Sequence, residues 1–367
     1  MKKVKKRLKL LKIRNRYSIL LNPLKTTKEN KLKFKSKSQN KCNLFFFISL
    51  KIFYIILLFY IFRLEHKSKL ITKINSFISN NIIKNNYNKI KACLCVIGKN
   101  ENLYVKEYVT YYKNLGYNHI SIYDNNDVNG EKFEDVLQDE INSGFVTIKN
   151  YRGKSSLHIL RGPQCLAFRD CYDRYSKEYD WISFFDFDEF LEVRPMAKNI
   201  QEFLANPRYS KCDNIKINFL IYGDNDLLYY DNRTVQERFT IPNYRHHSNN
   251  IVKSTVRGGL PHNYWKYKCS IHTSYMNVTN CNSEGNIIPH NSGMCPMNHT
   301  YAVIKHYYTK SVEEYVNKTK RGDAFVFKGY NPPWKRQRMK TYFMYNNYSV
   351  EKEELFKKLF KLNDKIR

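Results

Sequence analysis

Residues 179–193 read "YDWISFFDFDEFLEV", five acids set into a run of aromatics. Trp181, Ile182, Phe184 and Phe185 have the character of a buried strand, and Asp186, Asp188, Glu189 and Glu192 follow at once. Elsewhere the chain is basic, with a formal charge of +30. Successive strand residues alternate faces, so Asp186 and Asp188 share a side if the strand continues that far. Two neighbouring carboxylates repel unless a cation or a proton lies between them. Oxygen ligands favour a hard ion, Mn²⁺ or Mg²⁺, which also bridges phosphates. A solvated acidic turn and the paired acids of a glycoside hydrolase are the other readings. Three acids in four residues fit a metal clamp better, because hydrolase acids generally come from separate segments.

The surrounding elements supply the architecture. "KACLCVI" (91–97) reads as a buried strand. After "GKNE", Tyr104, Tyr108, Tyr111 and Leu115 recur at helical spacing, with Gly116 as the stop. "HISIYD" (119–124) is a second strand, "EKFEDVLQDEI" a second helix, "FVTIK" (145–149) a third strand. A helix from Pro163 to about Tyr175 then leads into the strand at Trp181. This β-α-β-α-β-α-β order predicts an α/β fold with a mainly parallel sheet flanked by helices, binding ligands at the carboxyl ends of its strands. "NIKINFLIYG" is a further strand, residues 240–300 are loop-rich, and Ser311 with Glu314 makes a capping box for a late helix.

The rest of the chain speaks to location. Residues 1–43 carry sixteen Lys/Arg and one acid, half of the net charge, and the remainder is spread thinly. That distribution argues against a nucleic-acid groove, although a basic tail alone could touch RNA or anionic lipid. "LFFFISLKIFYIILLFYIF" (44–62) is nineteen residues long, about 28 Å as a helix and close to the ~30 Å of a bilayer core. Lysines on its N-terminal side predict a cytosolic tail and a type II, single-pass anchor. Residues 63–90 read as a stem and 91–367 as a catalytic domain facing the ER or Golgi lumen. Eight of nine cysteines and five glycosylation sequons (Asn232, Asn277, Asn298, Asn317, Asn347) lie beyond the anchor, in a compartment that permits disulfides. Cys93 and Cys95 alternate on one strand and read as core residues; no CxxC pair suggests zinc.

Four blocks in order carry a resemblance over roughly Lys91–Gly322. They are "IGKNENLYVKEYVTYYKNLGYNHISIYDNND", "QCLAFRDCYDRYSKEYDWISFFDFDEFLEV", "IYGDNDLLYYDNRTVQERF" and "IKHYYTKSVEEYVNKTKRG". Together the chain resembles a GT-A type glycosyltransferase, similar to family 92 and the related family-2-like group. Asp224 and Asp226 depart from that pattern, standing where small residues are usual. The resemblance implies that Asp186 and Asp188 hold Mn²⁺ (or Mg²⁺) on the diphosphate of a nucleotide-sugar, with His306 as a third ligand. It implies Lys310 as a diphosphate neutraliser, and Lys99, Asn100, Glu101 and Asp124 as the nucleotide side. Arg161 and Gln164 approach sugar or phosphate, and Glu189 orients the acidic loop or contacts the sugar. If the enzyme inverts, it needs a general base, for which Glu237 and Asp224 are the candidates.

The expectation is a membrane-anchored, metal-dependent hexosyltransferase. It moves a hexose such as galactose from a UDP-sugar to a glycan or glycoprotein acceptor. The rivals are a catalytically inactive GT-A-fold glycan-binding or scaffold protein, a membrane-tethered nucleic-acid binder driven by the tail, and a metal-free glycosidase.

Overall fold

The computed structural model describes residues 63, 90–154, 162–194, 197–260, 278–288, 293–321 and 333–362. The basic tail, the predicted membrane span, nearly all of the stem and Arg161 lie outside the described residues. Among the described residues no helix is long and apolar enough to cross a membrane.

Strand β1 (Ala92–Gly98) is apolar and buried up to its last residue, Gly98, which is half-buried. It feeds α1 (Asn102–Leu115), whose Tyr104, Val105, Tyr108, Val109 and Tyr112 form the buried stripe. Tyr111 and Leu115, expected on that stripe, sit half-buried at its edge. Gly116 ends the helix at φ 98°, a left-handed conformation that glycine adopts without a Cβ penalty. β2 (His119–Asp124) follows as predicted. The expected second helix is instead a 3-10 turn at Phe133–Asp135 and a short α2 (Gln138–Asn142). Phe133 is pulled into the core there, which breaks the chain into two pieces. β3 (Val146–Asn150), α3 (Pro163–Tyr175, with proline opening the first turn) and β4 (Trp181–Phe184) complete the first half.

β5 (Glu189–Val193), α4 (Ile200–Leu204), β6 (Asn214–Ile221), α5 (Val235–Arg238), β7 (Val252–Arg257), β8 (Asn280–Asn282) and β9 (Ala302–His306) follow. Three helices close the chain: α6 (Val312–Arg321), α7 (Pro333–Tyr345) and α8 (Val350–Phe360).

The strands form one sheet in the order β3-β2-β1-β4-β7-β6-β9-β5, with β8 beside β6. The first four are parallel, as expected. Beyond β4 the sheet is mixed: β7 runs antiparallel to both β4 and β6, and β5 antiparallel to β9. The residues from Trp181 onward explain the change. β4 ends at Phe184, a turn follows, and the chain returns as β5 at the far edge of the sheet. The acidic stretch thus spans two strands and the turn between them.

A large core lies between α1 and the sheet, where Tyr108 and Tyr112 are fully buried and pack on Phe190 and Phe187. Burying each large side chain contributes about 1.5–3 kcal/mol. The other face of β1 packs on α3, and Cys95–Cys171 joins the two covalently. Cys212–Cys281 ties β8 to the segment before β6. Cys95 is therefore a disulfide partner as well as a core residue, while Cys93 is a buried thiol.

Candidate active site

The turn after β4 places the acids by burying what lies between them. Phe187 packs on Tyr108 and Phe133, with ring centroids 4.9 Å and 5.4 Å away. Gly98 makes room, since a Cβ there would collide with the Phe187 ring. With Phe187 anchored inward, Asp186 and Asp188 turn outward into a cleft of about 450 Å³. The alternation read from the sequence survives, although the strand itself stops earlier.

Four further elements reach the acids. The β5–β9 register sets Glu189 opposite His306. His306 Nε2 then lies 3.7 Å from Asp188 Oδ1 and 3.9 Å from Glu189 Oε1. From β7, the buried Lys253 places Nζ 2.6 Å from Asp186 Oδ2 and 3.1 Å from Glu189 Oε1. From α6, Lys318 donates to Asp188 Oδ2 at 2.5 Å and to the Tyr308 carbonyl at 2.9 Å. Gln164, in the first turn of α3, donates to Asp186 Oδ1 at 3.3 Å. The Glu189 carboxylate accepts the Asp186 N–H at 3.0 Å, so this acid shapes the turn.

These contacts set the charges. Burial alone would raise the Asp188 carboxyl, but Lys318, His306 and Lys310 hold it well below the usual range. Glu189 is pushed up to about 8, first by burial, with Asp186 and Asp188 adding to it against Lys253. Burial lowers His306 despite the pull of Asp188, which favours the neutral imidazole that metals bind.

Asp188, Glu189 and His306 each point one donor atom into a common space, all within 4.8 Å of one another. Metal bonds of ~2.1 Å put neighbouring ligand atoms roughly 3–4 Å apart, so the two His306 separations suit a shared ion. His306 Nδ1 is buried without a partner. Two carboxylates and an imidazole therefore fit a divalent cation of the Mn²⁺ kind. The trio differs from the expected set: Glu189 occupies the place assigned to Asp186, which turns to Lys253 and Gln164.

The nucleotide-side candidates divide. Lys99 and Glu101 line the cleft with Asn125. Glu101 pairs with Arg321 of α6 at 2.6 Å, and Arg321 also caps the Lys99 and Asn100 carbonyls. Asn100 is an exposed residue at φ 54°. Asp124 is buried against Arg152 at 2.6 Å and stands outside the lining. Lys310 is buried with its ammonium 4.1 Å from the centre of the Tyr104 ring, so it acts from behind the wall rather than from the cleft.

Both general-base candidates are displaced. Glu237 is exposed and closes a capping box with Thr234 at the start of α5. Asp224 is buried, bonded to Tyr342 and Lys352. Neither lines the cleft, whose acids are Glu101, Asp186, Asp188 and Glu189.

Sequence reasoning missed Lys253, Lys318, Arg321 and Arg338, and the aromatic wall of Phe219, Tyr308, Tyr315 and Tyr345. Helical spacing held part of the signal, because Tyr315, Lys318 and Thr319 share a face of α6. Tyr345 stacks on His246 at 4.4 Å and on Tyr308 at 4.9 Å, and Tyr308 meets His306 edge-on at 5.6 Å. An aromatic surface thus runs from α7 to the acid–histidine trio. The cleft brings cations and rings together, with Lys318 Nζ 4.2 Å from the centre of the Tyr308 ring.

A model of glycosyltransferase family 92 matches residues 88–350. A family 92 protein of Ricinus communis is 28% identical over 32% of this chain and 19% of its own length. One from Arabidopsis thaliana is 30% identical over 28% of this chain and 16% of its own. A galactan beta-1,4-galactosyltransferase of Arabidopsis thaliana is 27% identical over 33% of this chain and 29% of its own length. The chain thus spans less than a third of each of these curated relatives. Among solved structures, S. aureus TarS 1–349 gives a TM-score of 0.28 at 10% identity, over 74% of this chain and 71% of that one. Its complex with UDP-GlcNAc gives 0.26 at 15% identity, over 36% and 35%.

Proposed function

The chain belongs to glycosyltransferase family 92, and from that premise we propose a metal-dependent hexosyltransferase that moves a hexose from a UDP-sugar to a glycan. One observation carries the proposal: a single cleft holds the Asp188–Glu189–His306 trio, a group of cations and an aromatic wall.

In this reading Asp188, Glu189 and His306 hold the cation, and a bound divalent ion supplies Lewis acidity at the leaving diphosphate. Lys318, Arg321 and Lys99 face the phosphates and balance the charge that builds on them. Asp186, steadied by Gln164 and Lys253, faces the donor. The wall of Tyr308 and Tyr345 receives the acceptor sugar, since ring faces give apolar contact to a pyranose while the cleft's polar groups fix its hydroxyls. Inversion remains the stereochemical course, with its base drawn from the cleft's own carboxylates rather than from Asp224 or Glu237.

Galactose is the first donor to try, because one similar Arabidopsis protein carries galactosyltransfer in its name. The proposal extends to location: a type II anchor at 44–62 with the domain in the ER or Golgi lumen. The two disulfides, the sequons and the basic tail support it.

The test is UDP release from UDP-galactose and other UDP-hexoses by the full chain with Mn²⁺, alongside Asp188→Asn. Release that is lost in the variant is expected. A nucleotide-sugar at about 100 times its Kd should also stabilise the fold by ~2.7 kcal/mol; if no nucleotide shifts the melt, the reading fails. A second reading is a glycan-binding protein without turnover. It draws on the lysines that already occupy both aspartates, and binding without UDP release would favour it.

A further inference from the structure

Asp224 and Asp226, two acids of the loop after β6, have one partner in common. Lys352 Nζ lies 2.7 Å from Asp224 Oδ2 and 2.7 Å from Asp226 Oδ1. Lys352 is buried and sits on α8, which begins at Val350, where the family match ends. Two acids of one loop and a helix that begins where the family match ends therefore make a single contact. The loop is bent to achieve it. Asn225 and Asp226 both adopt left-handed backbone, at φ 47° and 60°, a conformation that Asn and Asp tolerate better than most residues.

Asp224 also grips α7. Its carboxylate accepts the Tyr342 hydroxyl at 2.6 Å, and its N–H donates to Asn346 Oδ1 at 2.7 Å. Asn346 in turn donates to Thr309 Oγ1 at 3.1 Å, next to the aromatic wall. Tyr342 is fully buried and packs on Phe356 of α8 at 4.9 Å and on Tyr315 of α6 at 5.2 Å. Tyr342 and Asn346 flank Tyr345, the α7 residue that enters the cleft beside Tyr308. The grip is therefore on the turn of helix that presents the ring.

We propose that Asp224 and Lys352 are positioning residues for acceptor recognition: they clamp α7 so that Tyr345 stands at the acceptor end of the cleft. This rests on the reading of that wall as the acceptor's. A buried ion pair is a poor device for stability alone, because desolvation offsets the attraction, but it fixes one geometry for the groups around it. Lys352 touches neither the cation trio nor the phosphate-facing residues, and its partner Asp224 holds Tyr342 and Asn346, on either side of Tyr345.

The experiment uses the full chain with Mn²⁺, UDP-galactose and a galacto-oligosaccharide, measuring both sugar transfer and donor hydrolysis by water. Lys352→Met should raise the acceptor KM roughly ten- to a hundredfold, the scale on which a misplaced positioning group costs rate, and leave donor hydrolysis unchanged. Lys352→Arg, which keeps the charge, should recover part of the loss. Tyr345→Ala should raise the acceptor KM similarly, and the double variant should show little beyond either single change, because groups acting through one another are not additive. An unmoved acceptor KM in Lys352→Met overturns the proposal. So do effects that multiply in the double variant, or hydrolysis that falls in step with transfer. If Lys352→Met does not fold, Asp226→Ala replaces it, since that acid's side chain is 78% exposed and pairs with Lys352. A smaller rise in the acceptor KM is then expected, and none overturns the clamp. Absence of any nucleotide-sugar turnover by the unaltered protein sinks the functional reading and the clamp together, whereas turnover with an unmoved KM sinks the clamp alone.

Discussion

Asp188 Oδ1 and His306 Nε2 stand 3.7 Å apart, brought together by a strand pair that sets Glu189 opposite His306. The two come from distant parts of the chain, and only the antiparallel β5–β9 ladder makes them neighbours. If that pair holds the cation, His306→Ala removes one of three protein ligands while leaving the carboxylates in place. Its Kd for Mn²⁺ should rise at least about tenfold, a loss of ~1.4 kcal/mol, read by electron paramagnetic resonance of the free ion. An unchanged Kd would remove His306 from the site.

Lys318 occupies Asp188 in the structure and lies on the same helix as Arg321, facing the same cleft. The proposed function gives it a second partner, the leaving diphosphate. A hydrogen bond to a charged group contributes about 1.5–3 kcal/mol, so Lys318→Met should weaken UDP binding roughly ten- to a hundredfold by calorimetry with Mn²⁺ present. Equal affinity in the variant would mean that Lys318 serves Asp188 alone.

What the sequence made legible follows from how local each signal is. β1, β2, α3 and β4 were readable because their apolar patterns are short-range, and the shared side of Asp186 and Asp188 because strand alternation is equally local. The resemblance located His306, yet nothing local says that Glu189 will face it, since that depends on the β5–β9 register. Lys253 was invisible for the same reason: a lysine inside "VKSTVR" reads as a solvated strand residue until β7 is laid beside β4. That Asp224 and Glu237 stand outside the cleft was not legible, because an acid read in sequence carries no mark of its partner. Lys352, far along the chain, claims one, and a helix cap claims the other. The second helix failed because Phe133 is drawn into the core and interrupts the local period.

Cys212–Cys281 closes a loop of 69 residues between β8 and the segment leading to β6. The chain-entropy account gives a closed loop of that size about 4 kcal/mol of stabilisation, acting mainly on the unfolded state. The double variant Cys212→Ser, Cys281→Ser should therefore lower the unfolding free energy by about that amount in urea. A reductant should cost the unaltered protein more than this, because it also opens Cys95–Cys171, and should cost the variant only that second bridge. If reduction leaves the urea midpoint where it was, the two thiols are not joined in solution.

Glu314 is the buried acid on which α5, α6 and α1 converge. It accepts from Arg238 at 2.7 Å and 3.0 Å, from Tyr104 at 2.7 Å and from Ser311 at 2.6 Å. Burial raises its carboxyl, but Arg238, Lys310 and Ser311 outweigh that and leave it below its ordinary 4.5. A carboxyl depressed in the folded state adds stability that is complete above its unfolded pKa and is lost as pH falls through the folded one. Removing the charge leaves the buried Arg238 with only Asp231, 3.9 Å away, as a carboxylate partner, and breaking a buried pair costs about 3–5 kcal/mol. Glu314→Gln should therefore be less stable than the unaltered protein by that order at neutral pH, measured in urea. The gap should narrow as pH drops below about 4.5, because the unaltered protein then loses the same charge. A gap that stays constant through the acid range would show that Glu314 contributes packing and hydrogen bonds, with its ionisation playing no part.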